Sequence, residues 1–337
     1  MRQNQPDRVT LPAVLITVGI LWLLIEIGFV PAGLVAVLAN WWPLFLVGAG
    51  LDLMVPARRP ANVPFVAIAA AIVLLLGVFA PGGASTADGD VREALSPGAR
   101  SVTANVRTAS APTTITGARD AGALVEASFI GQPAGRVTTT GGREPRVEIR
   151  PVRTGLPFAG RGRWHVGLPA AVPLSLTVDS GTGALSLDLN DVALQRLDLE
   201  ASSGAVTARL PGAGASYTTE IDGGSGRLAL TVAPGASVDM EAEFSSGGAS
   251  MLIGEGTDLR LELKTGSGGV DIDLPDTAPI RLEVRDDGSG RLRVPGFLNR
   301  RSGSGDTGVW ESRNLGDGGR VIEIRISDVG SGNITLR

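Results

Sequence analysis

The chain contains no cysteine, which excludes a disulfide framework, thiol catalysis, a zinc knuckle and a lipidated N-terminal cysteine. Histidine is nearly as scarce. The single imidazole, His165, rules out a multi-histidine metal site and leaves at most one imidazole base. Lysine occurs once, at Lys264, where it precedes its glycine turn rather than following one; no GxxxxGK[ST] phosphate loop is present. A basic surface is missing too. The formal net charge is −4 over 337 residues, the opposite of a nucleic-acid-binding footprint. Glycine, by contrast, is abundant. Its 47 residues are about twice ordinary usage and show no collagen period, so a turn-rich β protein is expected.

Long apolar runs are confined to the N-terminal end. Residues 11–30 form one of membrane-spanning length, 33–54 a second with Pro43 inside it, and 63–80 a third. Three transmembrane helices are expected, with Pro43 either kinking the second or starting a shorter re-entrant segment. Glu26 and Asp52 fall near span ends, where snorkelling to the interface accounts for them. Arg2 and Arg8 precede the first span and Arg58 and Arg59 follow the second, while the 31–40 turn has no lysine or arginine. The positive-inside rule therefore puts the N-terminus in the cytoplasm and everything after Ala80 outside it. The expected organisation is a membrane region over 1–80, a Gly/Ala/Ser/Pro linker over 81–99 and a β domain over 100–337.

Within that domain the turn glycines keep a period. Gly183, Gly204, Gly226, Gly247, Gly268, Gly290 and Gly332 are separated by 21, 22, 21, 21, 22 and 42 residues. The last gap is twice 21, so the stretch 296–320 is expected to replace one period. Apolar residues follow each glycine at alternate positions, as in Leu185/Leu187/Leu189, Leu228/Leu230/Val232 and Val270/Ile272/Leu274. A second inward set precedes it, as in Leu197/Leu199, Met240/Ala242/Phe244 and Leu261/Leu263. Each period is then two half-buried strands joined by a Ser-Gly turn. No single unit can bury its apolar face alone, so neighbours must stack. The predicted fold is a parallel β-solenoid with a 21–22-residue repeat; an antiparallel sandwich of glycine-turn hairpins is the alternative. Residues 100–175 supply further strands (SVTANVR, TTITG, ALVEASFI, RVEIRPV, RWHVGL and LSLTV) for the first coils. The loops at 153–163 and 296–320, with Arg161, Arg163, Arg300 and Arg301, are expected to be exposed and mobile.

Two blocks carry a resemblance to a known family. ITVGILWLLIEIG followed by WWPLFLVGAGLDLM resembles the transmembrane region of LiaI/LiaF-type bacterial envelope-stress proteins. VPLSLTVDSGTGALSLDLNDVALQRLDLEASSGAVTARLP is similar to the toastrack β-solenoid of LiaF-like proteins and related adhesin-type domains. The resemblance implies a membrane-bound accessory regulator that restrains a sensor histidine kinase during cell-wall stress. It implies no catalytic motif. An adhesive or structural envelope protein binding cell-wall polymer is the other reading, and nucleic acid is not an expected partner.

An enzyme is not expected. A Ser-His-Asp triad would have to use His165, placed in the strand-like RWHVGL, where a structural or surface role suits it better. GSGGVDIDL departs from calcium-binding nonapeptides, because its second acid stands where they need an apolar residue. Among the outward positions after the glycines, only Asp271/Asp273 forms a carboxylate pair. The other strand is richer. Stacking of the repeats sets Asp198, Glu220, Glu241 and Glu262 in one acidic row, with Asp179, Glu200, Asp222 and Glu243 beside it, at about 4.8 Å per rung. Lys264 and Arg285 are expected to close one end of the second row. Such rows are either a solvated face of splayed side chains or a stripe for a divalent cation or a basic partner; no other cofactor is expected.

Overall fold

The computed structural model describes residues 89–131, 133–152, 162–286, 288–316 and 318–337. The three expected spans, most of the 81–99 linker's first half and Arg161 lie outside the described residues. Among the described residues no helix is long and apolar enough to cross a membrane.

Period-two alternation makes strands throughout. The first seven are β1 (Gly89–Ala94), β2 (Val102–Thr108), β3 (Thr113–Gly117), β4 (Ala123–Ile130), β5 (Gly135–Thr140), β6 (Arg146–Pro151) and β7 (Arg163–Leu168). The regular repeats supply β8 (Leu174–Ser180), β9 (Leu185–Asp188), β10 (Leu194–Ala201), β11 (Val206–Leu210), β12 (Ser216–Gly223) and β13 (Arg227–Val232). They continue through β14 (Ser237–Phe244), β15 (Gly248–Ile253), β16 (Asp258–Thr265), β17 (Val270–Asp273), β18 (Ile280–Val284) and β19 (Leu292–Arg293). The chain closes with β20 (Leu298–Ser304), β21 (Thr307–Ser312), β22 (Ile322–Val329) and β23 (Ile334–Leu336).

From β8 to β19 successive strands alternate between two sheets, and β20, β21 and β22 all join the 12-stranded one. The 12-stranded sheet runs β20-β21-β18-β22-β16-β14-β12-β10-β8-β2-β6-β5, and the 11-stranded sheet runs β1-β4-β7-β3-β9-β11-β13-β15-β17-β23-β19. From β8 to β17 every in-sheet pairing is parallel. The stacked, parallel arrangement is that of a β-solenoid, and the antiparallel sandwich is excluded for these rungs.

The core is a set of straight rows between the sheets. Ile115, Leu187, Ala208, Leu230, Met251, Ile272 and Leu336 follow one another in register. None of them is more than 1 % exposed. Leu197, Leu199, Met240, Ala242, Phe244, Leu261, Leu263, Leu282 and Val284 all face inward from the other sheet. Large residues sit beside small ones: the Phe244 ring occupies the space a Cβ at Gly223 would need.

The periodic glycines have a cause that φ does not reveal. None of Gly204, Gly226, Gly247, Gly268, Gly332 and Gly290 has a positive φ. Instead, a Cβ on Gly204 would overlap the Gly183 carbonyl oxygen, and the same clash recurs from Gly226 to Gly204, Gly247 to Gly226 and Gly268 to Gly247. The turns pack backbone on backbone, which only glycine allows.

Both ends depart from sequence order. Gly332 meets Gly268, and Gly290 meets Gly332, so the last coil is not the last rung. Strand β22 inserts between β16 and β18, parallel to both, and β23 likewise lies between β17 and β19. The alternating IEIRIS sequence of β22 thereby gains a ladder on each edge. Arg320 fastens the approach to this strand, donating to the carbonyls of Gly235, Ala236 (3.3 Å) and Gly256 (3.1 Å). At the other end, β2 lies between β6 and β8, and β3 between β7 and β9.

Three expectations are corrected. Residues 81–99 are not all linker, since Gly89–Ala94 forms β1, antiparallel to β4. The residues of ALVEASFI do not enter a parallel coil: β4 caps the stack antiparallel to β7. The stretch 296–320 is not simply a loop, because β20 and β21 form an antiparallel hairpin against β18. Trp310, only 8 % exposed, anchors it, with the Arg300 guanidinium 4.7 Å from its ring centre. Antiparallel caps and a two-residue edge strand, β19, blunt the ends against indefinite stacking.

Candidate functional site

The outward residues of the 12-stranded sheet carry most of the charge, and strand register decides which of them meet. Asp198 stands opposite Glu220, Glu220 opposite Glu241 and Glu241 opposite Glu262. Beside them run Asp179, Glu200, Asp222 and Glu243, then Lys264. The two rows are thus in register as the repeat implied. Their C-terminal ends differ from expectation, because β22 intervenes. Arg325 follows Glu262 and Asp328 follows Lys264. Arg285 instead bonds Glu283 in its own strand line, at 2.9 Å.

Like charges on neighbouring strands repel, and cations relieve part of the first row. Arg196 bridges Asp198 (2.8 Å) and Glu220 (3.0 Å). Lys264 donates to Glu241 at 2.8 Å. That bond, with the pull of the nearby carboxylates, raises the Lys264 ammonium above its ordinary value. Glu200 and Asp222 form no ion pair among the described residues, and Glu243 feels Lys264 on the next strand only through its charge. Two shallow grooves cross this face. One is lined by Tyr217, Asp239, Arg260 and Glu323, the other by Glu241, Glu262, Arg281, Glu283 and Arg325.

Straight rows do not converge. Among the described residues no group of three histidine or acidic side chains is placed to hold a metal ion. The rows are therefore an extended charged surface. His165 is half-buried in β7, in register with Thr114 and Ser128; it lines a cleft with Asp90, Arg92, Asp120 and Glu126, and the pairs that join these groups are Arg92–Asp120 and Arg92–Glu126. Asp271 and Asp273 point outward from β17 beside Ser250 and Leu252.

The opposite face of the molecule contrasts with this one. Ser186, Thr207, Ala229 and Ser250 align across the outside of the 11-stranded sheet, small and uncharged. The residue before each stacked glycine is an exposed hydroxyl, from Thr182 and Ser203 through Ser225, Ser246 and Ser267 to Ser331 and Ser289. The sequence shows these Ser-Gly pairs, but their alignment depends on the rung order.

Glu283 offers a pH test of the C-terminal rungs. Its hydrogen bond from Arg285 comes first, and Arg325 at 3.6 Å adds to it, so its carboxyl is held below the ordinary glutamate value. A carboxyl lowered in the folded state stabilises it above the unfolded pKa, and that contribution is lost as pH falls through the folded one. Arg285→Gln is therefore expected to lower stability throughout the pH range above the ordinary glutamate value, to lose that effect below the folded one, and to raise the pH at which acid unfolding begins. Acid titration followed by circular dichroism measures this; an unchanged acid limb contradicts it.

Residues 84–231 match the family model described as the N-terminal domain of toast_rack, DUF2154. The match runs from before β1 into β13. Among solved structures, the crystal structure of a "putative cell adhesion protein" from Clostridium sporogenes is similar over 74% of this chain and 98% of that chain, at 16% identity and a TM-score of 0.36. No curated protein matches the chain.

Proposed function

We propose that this chain is a membrane-anchored, non-enzymatic accessory protein of the toastrack kind, which holds its solenoid outside the cytoplasm and modulates a sensor histidine kinase of the cell envelope. The observation that carries this reading is the joining of two parts. A segment similar to the toast_rack N-terminal domain, 84–231, follows directly on the apolar block of residues 11–80. The surface supports binding over catalysis. Its charges lie in long rows at strand spacing, suited to contact with another extended polar surface. A regulator needs a docking face and a fixed place at the membrane, and this sequence offers both.

Two measurements on the intact chain test the reading. A reporter fused to the C-terminus is expected to be active only outside the cytoplasm, since three crossings follow a cytoplasmic N-terminus. Mild detergent extraction and affinity capture are expected to recover a histidine kinase. A reporter active only inside the cell overturns the topology. Recovery of wall polymer with no kinase overturns the regulatory role in favour of an adhesive one.

A further inference from the structure

Over the six strands from β5 to β12, one row of the charged face changes sign once. Arg136 on β5 is opposite Arg150 on β6. The next strand is β2, where Val106 pairs with Ile149, so Arg107 lies beside Arg150. Arg107 is opposite Asp179, Asp179 opposite Glu200, and Glu200 opposite Asp222. Three positive rungs therefore meet a run of negative ones between β2 and β8. All of these residues except half-buried Asp179 are exposed.

Within one molecule this order is unfavourable, since like charges on adjacent strands repel. Arg150 is paired with Glu148. Arg107, Arg136, Asp179, Glu200 and Asp222 form no ion pair among the described residues. The row is nevertheless its own complement. A two-fold axis parallel to the strands, passing between β2 and β8, reverses the rung order while keeping each residue's place along its strand. Two copies set face to face about that axis bring Arg107 to Asp179, Arg150 to Glu200 and Arg136 to Asp222, each contact made twice.

We propose that the chain self-associates through this face as an isologous dimer, centred on the β2/β8 boundary. The flanking rows limit the match. There the same operation sets Glu148 against Asp198 and Arg146 against Arg196. Glu148, Asp198 and Arg196 already have opposite-charge partners in their own chain. The overlap spans six strands, about 29 Å at the usual spacing. A charged contact of this size belongs with weak, salt-sensitive interfaces. The inference stands independently of the regulatory reading, since it uses only the register and charge of the solenoid.

The absence of native cysteine makes a clean test available. In one chain, positions 136 and 222 lie five strand spacings apart, about 24 Å, far beyond the roughly 7 Å Cα limit of a disulfide. Any bridge in an Arg136→Cys/Asp222→Cys variant of the full chain, purified in detergent, must join two molecules. Oxidation at low salt is expected to convert most of the protein to a covalent dimer, and about 1 M sodium chloride to cut the yield several-fold. An Arg136→Cys/Arg285→Cys chain is expected to stay monomeric. In uncrosslinked chains, Arg107→Glu/Arg136→Glu should abolish the dimer seen by sedimentation, and mixing with Asp179→Arg/Asp222→Arg should restore a heterodimer. Circular dichroism confirms folding of these surface variants. Equal bridging from position 285, indifference to charge reversal, or a monomer that instead binds polylysine would overturn the proposal.

Discussion

Replacing Gly268 by alanine is expected to destabilise the solenoid by about 3 kcal/mol or more, at the upper end of overpacking effects. The added Cβ would overlap the Gly247 carbonyl oxygen and press on the Ser246 carbonyl carbon. Both obstacles are backbone, so no side chain can swing aside. The turn has to move away from its neighbour, and the parallel pairing of β15 with β17 opens with it. Gly256 supplies the contrast. It has a φ of +63° and open space around its Cβ position, so Gly256→Ala should cost only the left-handed penalty of about 1–2 kcal/mol. Denaturant unfolding of the two variants measures the difference. Equal losses would mean that glycine is required here for its φ, contrary to the stacked-turn account.

Ile272→Asp is expected to be more severe. Ile272 is fully buried, with Met251 on the rung before and Leu336 on the rung after. A carboxyl at this place has only methyl groups for company. It must either stay charged without solvation or take up a proton and remain without a hydrogen bond. A loss of about 5 kcal/mol, or failure to fold, is the expected result, since uncompensated buried charge is among the few causes of such large effects. Ile272→Val, which keeps the row apolar, should cost about 1 kcal/mol. Thermal unfolding checks both, and a near-native midpoint for the aspartate variant would remove Ile272 from the core.

Most of the solenoid was legible because its physics is periodic. The glycine spacing and the alternation of Leu185/Leu187 or Val270/Ile272 depend on local geometry that repeats, and the acidic rows follow once the strands are parallel. The ends were not legible. Nothing local in IEIRIS states that it belongs between β16 and β18 rather than beyond β18; that depends on which edge is open when the chain returns. The consequence reached the candidate surface. Asp328, not Arg285, follows Lys264 in the second row, and Arg325 follows Glu262 in the first. Strand β5 was missed for a related reason: GRVTTT has one large apolar residue, Val137, and is held by its pairing with β6. The basic rungs that oppose the acids were invisible for the same cause, since Arg107 meets Asp179 only because β2 is placed beside β8.

The order of the C-terminal rungs is the point on which the architecture turns, and two cysteine pairs decide it. Asp271 lies in register with Thr335, and Thr335 with Arg293. One strand spacing, about 4.8 Å, falls within the Cα range of a disulfide, whereas two, about 10 Å, do not. Oxidised Asp271→Cys/Thr335→Cys is predicted to form an intramolecular bridge, and Asp271→Cys/Arg293→Cys to remain reduced. The reverse outcome, a bridge from position 271 to position 293 and none to 335, would put the final coil outside β18 and β19 and contradict the inserted rung.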